Sequence, residues 1–273
     1  MLLKALEYYP PAELPAVFPY SVPVFADLPK VEFEASITFL VGENGSGKST
    51  FIETLACAAD SITAGSEGIH TDPTLAAVRN FSKHFKLIWT KRTRKGFFLR
   101  AEDFFGYAKQ VAQMRAEMES DMAQIDRDYS SAGRSKTAKG LALMPYAREL
   151  HEIKQSYGEG GLDANSHGEG FFKFFQRRFT GEGLYLMDEP EAALSPMRQL
   201  AFLRLLKESV GRGAQFVIAT HSPIIMAYPG AVIWGFDGGA MRPVDYAQTE
   251  HVLITRDFIN HPDIYLNSVL GDL

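Results

Sequence analysis

Cysteine is nearly missing from this chain: Cys57 is the one thiol in 273 residues, so no internal disulfide framework can staple the fold. A lone cysteine fits a reducing compartment, and on the helix-like segment that carries it a buried small hydrophobe is expected rather than a reactive nucleophile. Long apolar runs are missing too, with nothing near the ~20 residues that cross a bilayer. Met1–Pro11 lacks the basic, apolar, small-residue order of a secretory leader. The expectation is a cytoplasmic protein with no direct membrane insertion. Neither sign of charge dominates: the net charge of −5 and pI of about 5.8 exclude a global bias towards nucleic acid. There is no internal repeat. What is present is 46% hydrophobic content, enough for one large α/β domain, or one domain carrying an insertion.

The most informative stretch is Gly42-Glu43-Asn44-Gly45-Ser46-Gly47-Lys48-Ser49-Thr50. It follows the apolar run Ile37–Val41 and precedes a helix-like segment, Phe51 to Ala59. This is G-x-x-x-x-G-K-[ST] in a strand–loop–helix setting, the phosphate-binding loop of nucleotide hydrolases. A triphosphate needs a ring of backbone N–H donors, and glycines let the main chain curl that tightly around an anion. The helix that follows aims its positive end at the same phosphates. Lys48 is placed to reach the β- and γ-phosphates, and the Ser49 hydroxyl to coordinate Mg²⁺. The chain is expected to bind a nucleoside triphosphate.

Leu184–Met187 and Phe216–Ala219 are short apolar runs bounded by polar turns, as buried parallel strands should be. Arg198 to Ser209 between them reads as a crossover helix with Leu200, Leu203 and Leu206 inward, giving β–α–β units and a mostly parallel sheet flanked by helices. Upstream, Tyr8 to Pro23 reads as extended surface chain, with strand-like material at Val22–Phe25 and Val31–Phe33. From Glu102 to Tyr129 an apolar stripe recurs at Phe104, Ala108, Val111, Met118, Met122 and Ile125, with a gap at Arg115. Polar Ser130–Lys139 breaks it, and a second helix is expected over Leu141–Gln155. This is a helical hairpin, either a miniature coiled coil that grips a partner or two helices packed on the domain. The expected organisation is a core of residues 1–100 and 180–273 with an inserted helical subdomain at 101–179.

The strand Leu184–Met187 ends in Asp188-Glu189-Pro190. An apolar strand delivering paired carboxylates suits a Mg²⁺-dependent hydrolase: Asp188 holds the metal with Ser49, and Glu189 orients or deprotonates the attacking water. Ser166-His167-Gly168-Glu169 opens a phenylalanine-dense helix, with Ser166 and Glu169 as a capping box. That helix start can also face an anion, through Ser166 and the backbone of Gly168. Phe216–Thr220 delivers His221-Ser222-Pro223 at the carboxyl end of a core strand, where ligands of parallel α/β sheets bind.

The order GENGSGKST, SHGE, LYLMDEPEAALSP, ATHSP resembles the soluble ABC-type ATPases over about Tyr20–Ala59 and Asn165–Pro229. The resemblance implies a P-loop NTPase fold, ATP and Mg²⁺ as ligands, and head-to-tail homodimers with ATP between one copy's phosphate loop and the other's signature. It implies that Lys48 and Ser49 form the first nucleotide motif and Asp188 and Glu189 the second. Ser166 and Gly168 then stand at the signature, and His221 is the switch histidine sensing the γ-phosphate. SHGE in place of LSGGQ, and EAALSP where transporter subunits carry TSALD, is similar to the branch with SMC-like and RecF-like ATPases of DNA maintenance or phage defence. Tyr246 to Leu270 is similar to small stand-alone bacterial ATPases of that branch. The family's glutamine is absent after Phe97-Phe98-Leu99, leaving Arg100 or Glu102 in its place. Tyr20 and Phe25 are candidates for the adenine-stacking aromatic, Tyr20 preferred.

The resemblance implies a macromolecular partner, DNA or protein. Lys91-Arg92-Thr93-Arg94-Lys95, with Arg134, Lys136 and Lys139, could neutralise phosphates, although such runs are more often solvated turns. Paired phenylalanines such as Phe97-Phe98 and Phe174-Phe175 could stack bases, but core packing is the commoner use. Three alternatives stand beside the ATP-driven switch: the ATP-binding subunit of a membrane transporter, the ATPase component of a nuclease complex, and an ATP clamp without turnover. Too little chain follows Pro229 for an appended nuclease domain, and the intact Lys48, Ser49, Asp188 and Glu189 argue against the clamp.

Overall fold

Strands whose every residue is buried carry the larger sheet, as unbroken apolar runs require. They are β3 (Ile37–Gly42), β6 (Gly183–Asp188) and β7 (Ala214–Ala219). The computed structural model describes residues 1–64, 68–132, 134–157 and 167–271. With β5 (Gly96–Arg100), β8 (Val232–Asp237) and β9 (Ala240–Pro243), these strands form a six-stranded sheet in the order β5-β6-β7-β3-β8-β9. All pairings are parallel except the β8–β9 hairpin. The register sets Arg100, Asp188, Ala219 and Leu40 in one row across four strands, so the loops that follow them emerge along one edge. The fold is α/β, a mostly parallel central sheet flanked by helices.

A second, antiparallel sheet runs β2-β1-β4, from β1 (Leu3–Tyr8), β2 (Val31–Glu32) and β4 (Phe85–Trp89). One buried side chain joins the two sheets. Gln215 on β7 accepts from the Leu2 and Leu3 N–H groups and donates to the Leu3 carbonyl, at 2.8–2.9 Å. Helix α1 (Lys48–Ala59) contributes Phe51, Ile52 and Leu55 to the same core as Leu3 and Leu6 of the small sheet and Leu186 and Val217 of the large one. Helix α2 (Ala76–Ser82) adds Phe81 to that core. Cys57 on α1 is half-buried, and burial pushes its thiol up to about 12, so it is not a nucleophile at neutral pH.

The expected strand at Val22–Phe25 is instead a tight 3₁₀ turn, Pro23–Phe25. Pro23 lacks an N–H for a ladder, and the Phe25 and Ala26 amides close on the Val22 and Pro23 carbonyls at 3.0 Å. Val31 does lie in β2, and Phe33 N–H reaches the Lys4 carbonyl. The crossover helix α6 (Pro196–Val210) is turned from the expected face. Phe202, Leu206 and Ser209 are buried, Leu203 is half-buried and Leu200 is exposed, because Phe202 packs against Phe179 and sets the helix's rotation. Helices α7 (Pro223–Met226), α8 (Glu250–Asn260) and α9 (Pro262–Leu270) complete this part.

The chain divides into two compact units, Met1–Ala101 with Phe179–Leu273, and Glu102–Arg178. The second unit is helical: α3 (Ala101–Ser131), α4 (Lys136–Tyr157) and α5 (His167–Arg178). Of the polar segment expected to break the hairpin, Ser130 and Ser131 continue α3 and Lys136–Lys139 begin α4. On α3, Val111 is buried and Arg115, Met118, Met122, Ile125 and Tyr129 are half-buried, in alternating steps of four and three. Arg115 fills the gap in the stripe with its Nε on Glu119 at 2.9 Å, and Lys139 near the start of α4 pairs with Asp126 of α3. The side chains of Phe104, Ala108 and Glu102 lie outside the described ones.

Candidate active site

The phosphate loop connects β3 to α1, and two of its glycines are required by close packing. Gly42 sits at φ 145°, where a Cβ would lie 2.6 Å from the Phe236 carbonyl oxygen of β8. Gly47 sits at φ 103°, where a Cβ would lie 2.9 Å from Cγ1 of both Val22 and Val24. The turn at Pro23–Phe25 therefore buttresses the loop from behind. Lys48, 4% exposed, folds back and donates from Nζ to the Gly42 and Glu43 carbonyls at 2.8 Å each. Burial lowers its pKa, opposed by the charges of Asp188, Glu189 and Glu191. Glu43, Asn44, Gly45 and Ser46 line an open cleft of about 420 Å³, whose far wall is Phe236–Gly239 with Glu250.

Asp188 ends β6, is 9% exposed and is hydrogen-bonded by the Ser49 side chain. Burial raises its carboxyl to about 6, with Glu189 adding to the rise and Ser49 and Lys48 opposing it. Glu189 follows in the left-handed region, at φ 49° and ψ 52°, with its N–H on the Ala219 carbonyl at 2.9 Å. That bend turns its carboxylate to 3.4 Å from Nε2 of His221, which follows β7. His221 is in turn hydrogen-bonded through Nδ1 to Nε2 of His251 at 2.7 Å, and burial, then Lys48, then His251 lower its pKa. Glu191 accepts from the Thr220 hydroxyl and the His221 N–H at 2.7 Å, and burial raises its pKa.

Four solvent-shielded polar atoms here have no hydrogen-bond partner: Ser46 Oγ, Asp188 Oδ1, Glu191 Oε2 and His221 Nε2. Donors and acceptors left open together in one place are suited to an anion accompanied by a cation. The oxygen donors Ser49 and Asp188 are the chemistry that Mg²⁺ prefers.

Lys48, Ser49, Asp188, Glu189 and His221 are thus brought together by the one edge of the large sheet. Gly168 is the second residue of α5, in the helical unit, and Ser166 lies outside the described residues. Tyr20 is half-buried with its ring edge-on to Phe81 at 4.8 Å and to His84 at 5.7 Å, and it does not line the cleft beside the loop. Phe25 is fully buried against Phe81, so its face is closed to a base. Arg100 is engaged elsewhere: Nη2 lies 2.6 Å from Asp72 Oδ2 and Nη1 3.5 Å from Glu53 Oε1. Of the basic run, Lys91 pairs with Glu182 at 2.6 Å and Arg94 approaches Asp60 at 3.6 Å, as in a solvated turn. Phe97, Phe98, Phe174 and Phe175 are all buried. Sequence reasoning assigned no role to Glu191 and passed over His251; the first is visible only as the second acid of DEPE, the second carries no local signal.

Two family models match the chain. One, described as "AAA domain, putative AbiEii toxin, Type IV TA system", matches residues 170–227; the other, described as "AAA domain", matches residues 23–139. No curated protein matches. Among solved structures, the chain is similar to an Smc head domain bound to the C-terminal domain of ScpA from Pyrococcus furiosus. The identity is 13%, covering 94% of this chain and 99% of that one, with a TM-score of 0.46. It is similar to an SMC head domain from Thermotoga maritima at 17% identity, 90% and 100% coverage and a TM-score of 0.41. An ATP-binding cassette of an ABC transporter gives 16% identity, 97% and 98% coverage and a TM-score of 0.49.

Proposed function

We propose that this chain is an SMC- and ABC-like P-loop ATPase that hydrolyses ATP and uses ATP-driven dimerisation to act on a macromolecular partner. The observation that carries the reading is the set of open buried polar atoms, Ser46 Oγ, Asp188 Oδ1 and His221 Nε2, around a phosphate loop whose lysine is tied to its own carbonyls. On binding ATP, Lys48 leaves the Gly42 and Glu43 carbonyls for the β- and γ-phosphates, and the loop amides hold the rest of the anion. Ser49 and Asp188 would hold Mg²⁺, which would supply positive charge to offset that of the phosphates. Glu189 orients the attacking water and accepts its proton, its backbone set by the left-handed bend and its carboxylate facing His221 Nε2 at 3.4 Å. His221 presents Nε2 to the γ-phosphate. Ser166 and Gly168 of a second copy complete the site, so turnover is slow until two copies meet.

The test is sedimentation of the Glu189→Gln variant with Mg²⁺-ATP, beside steady-state hydrolysis by the parent with and without linear double-stranded DNA. A dimer that forms only with ATP, and parent turnover that the substitution removes, support the reading. A variant that stays monomeric at saturating ATP overturns the composite site. Salt-sensitive stimulation by DNA makes DNA the partner, and indifference to it directs the search to a protein.

A further inference from the structure

We infer that His251 is a positioning residue for turnover: its Nε2–H donates to His221 Nδ1 and so fixes the proton of His221 on Nε2, the nitrogen that faces the reacting phosphate. The inference rests on the reading of His221 as the group at the γ-phosphate. It starts from one contact, His221 Nδ1 to His251 Nε2 at 2.7 Å, which needs one proton between two nitrogens. Two arrangements satisfy it. If His221 donated, its Nε2 would carry a bare lone pair 3.4 Å from the Glu189 carboxylate, two acceptors facing each other across a shielded gap. If His251 donates, His221 carries its proton on Nε2, which is attracted to Glu189 and free to turn to a phosphate oxygen, since it has no hydrogen-bond partner. The second arrangement is electrostatically favoured.

The surroundings keep both rings neutral enough for this to hold. Lys48 and Glu189 face His221, while Lys48, Glu250, Asp237 and Glu43 face His251. Burial and the Lys48 charge lower both histidines, which disfavours the doubly protonated state in which neither ring could accept. The rings stand at 64° to one another, so the contact is an in-plane nitrogen pair and not a stack. His251 comes from the first turn of α8, anchored by buried Val252 beside it, while His221 comes from the end of β7. The tautomer of one element is thereby set by a different element.

The experiment measures ATP affinity and single-turnover hydrolysis for the parent, His251→Ala and His251→Gln, with the histidine tautomers read by long-range ¹H–¹⁵N correlation on ¹⁵N-histidine-labelled parent protein. The alanine variant is expected to lose roughly tenfold to a hundredfold in turnover, with ATP affinity kept within about twofold, because His251 acts through His221 and not on the nucleotide. Glutamine, whose amide can donate to Nδ1, recovers most of the rate. Parent His221 is expected to carry its proton on Nε2. An unchanged rate in a folded alanine variant, or a His221 proton on Nδ1 in the parent, overturns the inference. The tautomer reading requires no activity and no substitution. If the parent itself hydrolyses no ATP, the catalytic reading fails separately, and the nitrogen shifts still decide which ring donates.

Discussion

The Glu191 carboxylate accepts two hydrogen bonds of 2.7 Å, from the Thr220 hydroxyl and the His221 backbone N–H, and so clips the turn after β6 to the end of β7. Those two segments carry Glu189 and His221. Glu191→Ala leaves both donors unpaired in a shielded place, which costs about 1–3 kcal/mol. Glu191→Gln keeps one accepting oxygen and is expected to lose less. Urea unfolding of the two variants measures this, and an alanine variant as stable as the parent would remove the clip.

Asp188 makes the stability of the protein sensitive to pH in a definite direction. Its carboxyl sits at about 6 in the fold against 3.8 as the ordinary value, because burial disfavours its charge. A raised folded-state pKa contributes stability that is complete below the unfolded value and lost as pH rises through the folded one. At pH 8, without Mg²⁺, the buried charge therefore destabilises the parent by an amount on the order of 3 kcal/mol. Asp188→Asn is expected to melt above the parent at that pH, with the gap closing as the pH falls to about 4. Melting curves across pH decide the matter; a gap that does not vary with pH means that the carboxylate carries no such penalty.

Lys48 has two carbonyl partners in the fold, so its binding energy to phosphate is a difference and not a full charge pair. Even so, Lys48→Ala is expected to weaken ATP binding by at least about 2.8 kcal/mol, roughly a hundredfold in Kd. Titration calorimetry checks this, and retained micromolar affinity would show that the loop is not where the triphosphate binds.

Arg100 follows the same logic in a structural role. Its guanidinium lies on Asp72, a residue 5% exposed that also accepts from the Thr74 N–H and hydroxyl. Burial would raise the Asp72 carboxyl, but the Thr74 bonds and the Arg100 charge outweigh it and hold the pKa below the ordinary value. Arg100→Met strands that carboxylate and is expected to cost about 3 kcal/mol at pH 7. The loss shrinks as the pH falls through the carboxylate range, since a depressed pKa gives stability only above it. A double variant that adds Asp72→Asn should recover part of the loss in chemical denaturation, and no recovery would mean that the pair is not coupled.

The parallel sheet was legible because β3, β6 and β7 are buried on both faces and so read as unbroken apolar runs ending in chemistry: Gly42, Asp188, His221. The small antiparallel sheet was not. β1 is partly exposed along Leu3–Tyr8, and its place is fixed by Gln215, more than two hundred positions away. Leucines at helical spacing suggest a buried stripe that includes Leu200, whereas the ring of Phe202 against Phe179 decides which face turns in. The position of Tyr20 ahead of the loop suggests an adenine-stacking ring, and in the fold that half-buried ring stands edge-on to Phe81. His251 had no local signature at all: a histidine in the first turn of a helix acquires its meaning only when the fold sets it against another nitrogen.

Glu189 occupies a backbone conformation that costs a non-glycine residue about 1–2 kcal/mol and costs glycine nothing. Folding alone therefore gives no reason for a carboxylate at that bend. A descendant chain freed from chemistry could carry glycine there without loss of its shape, so among relatives the residue at this one position separates those still shaped by turnover from those kept only for their form.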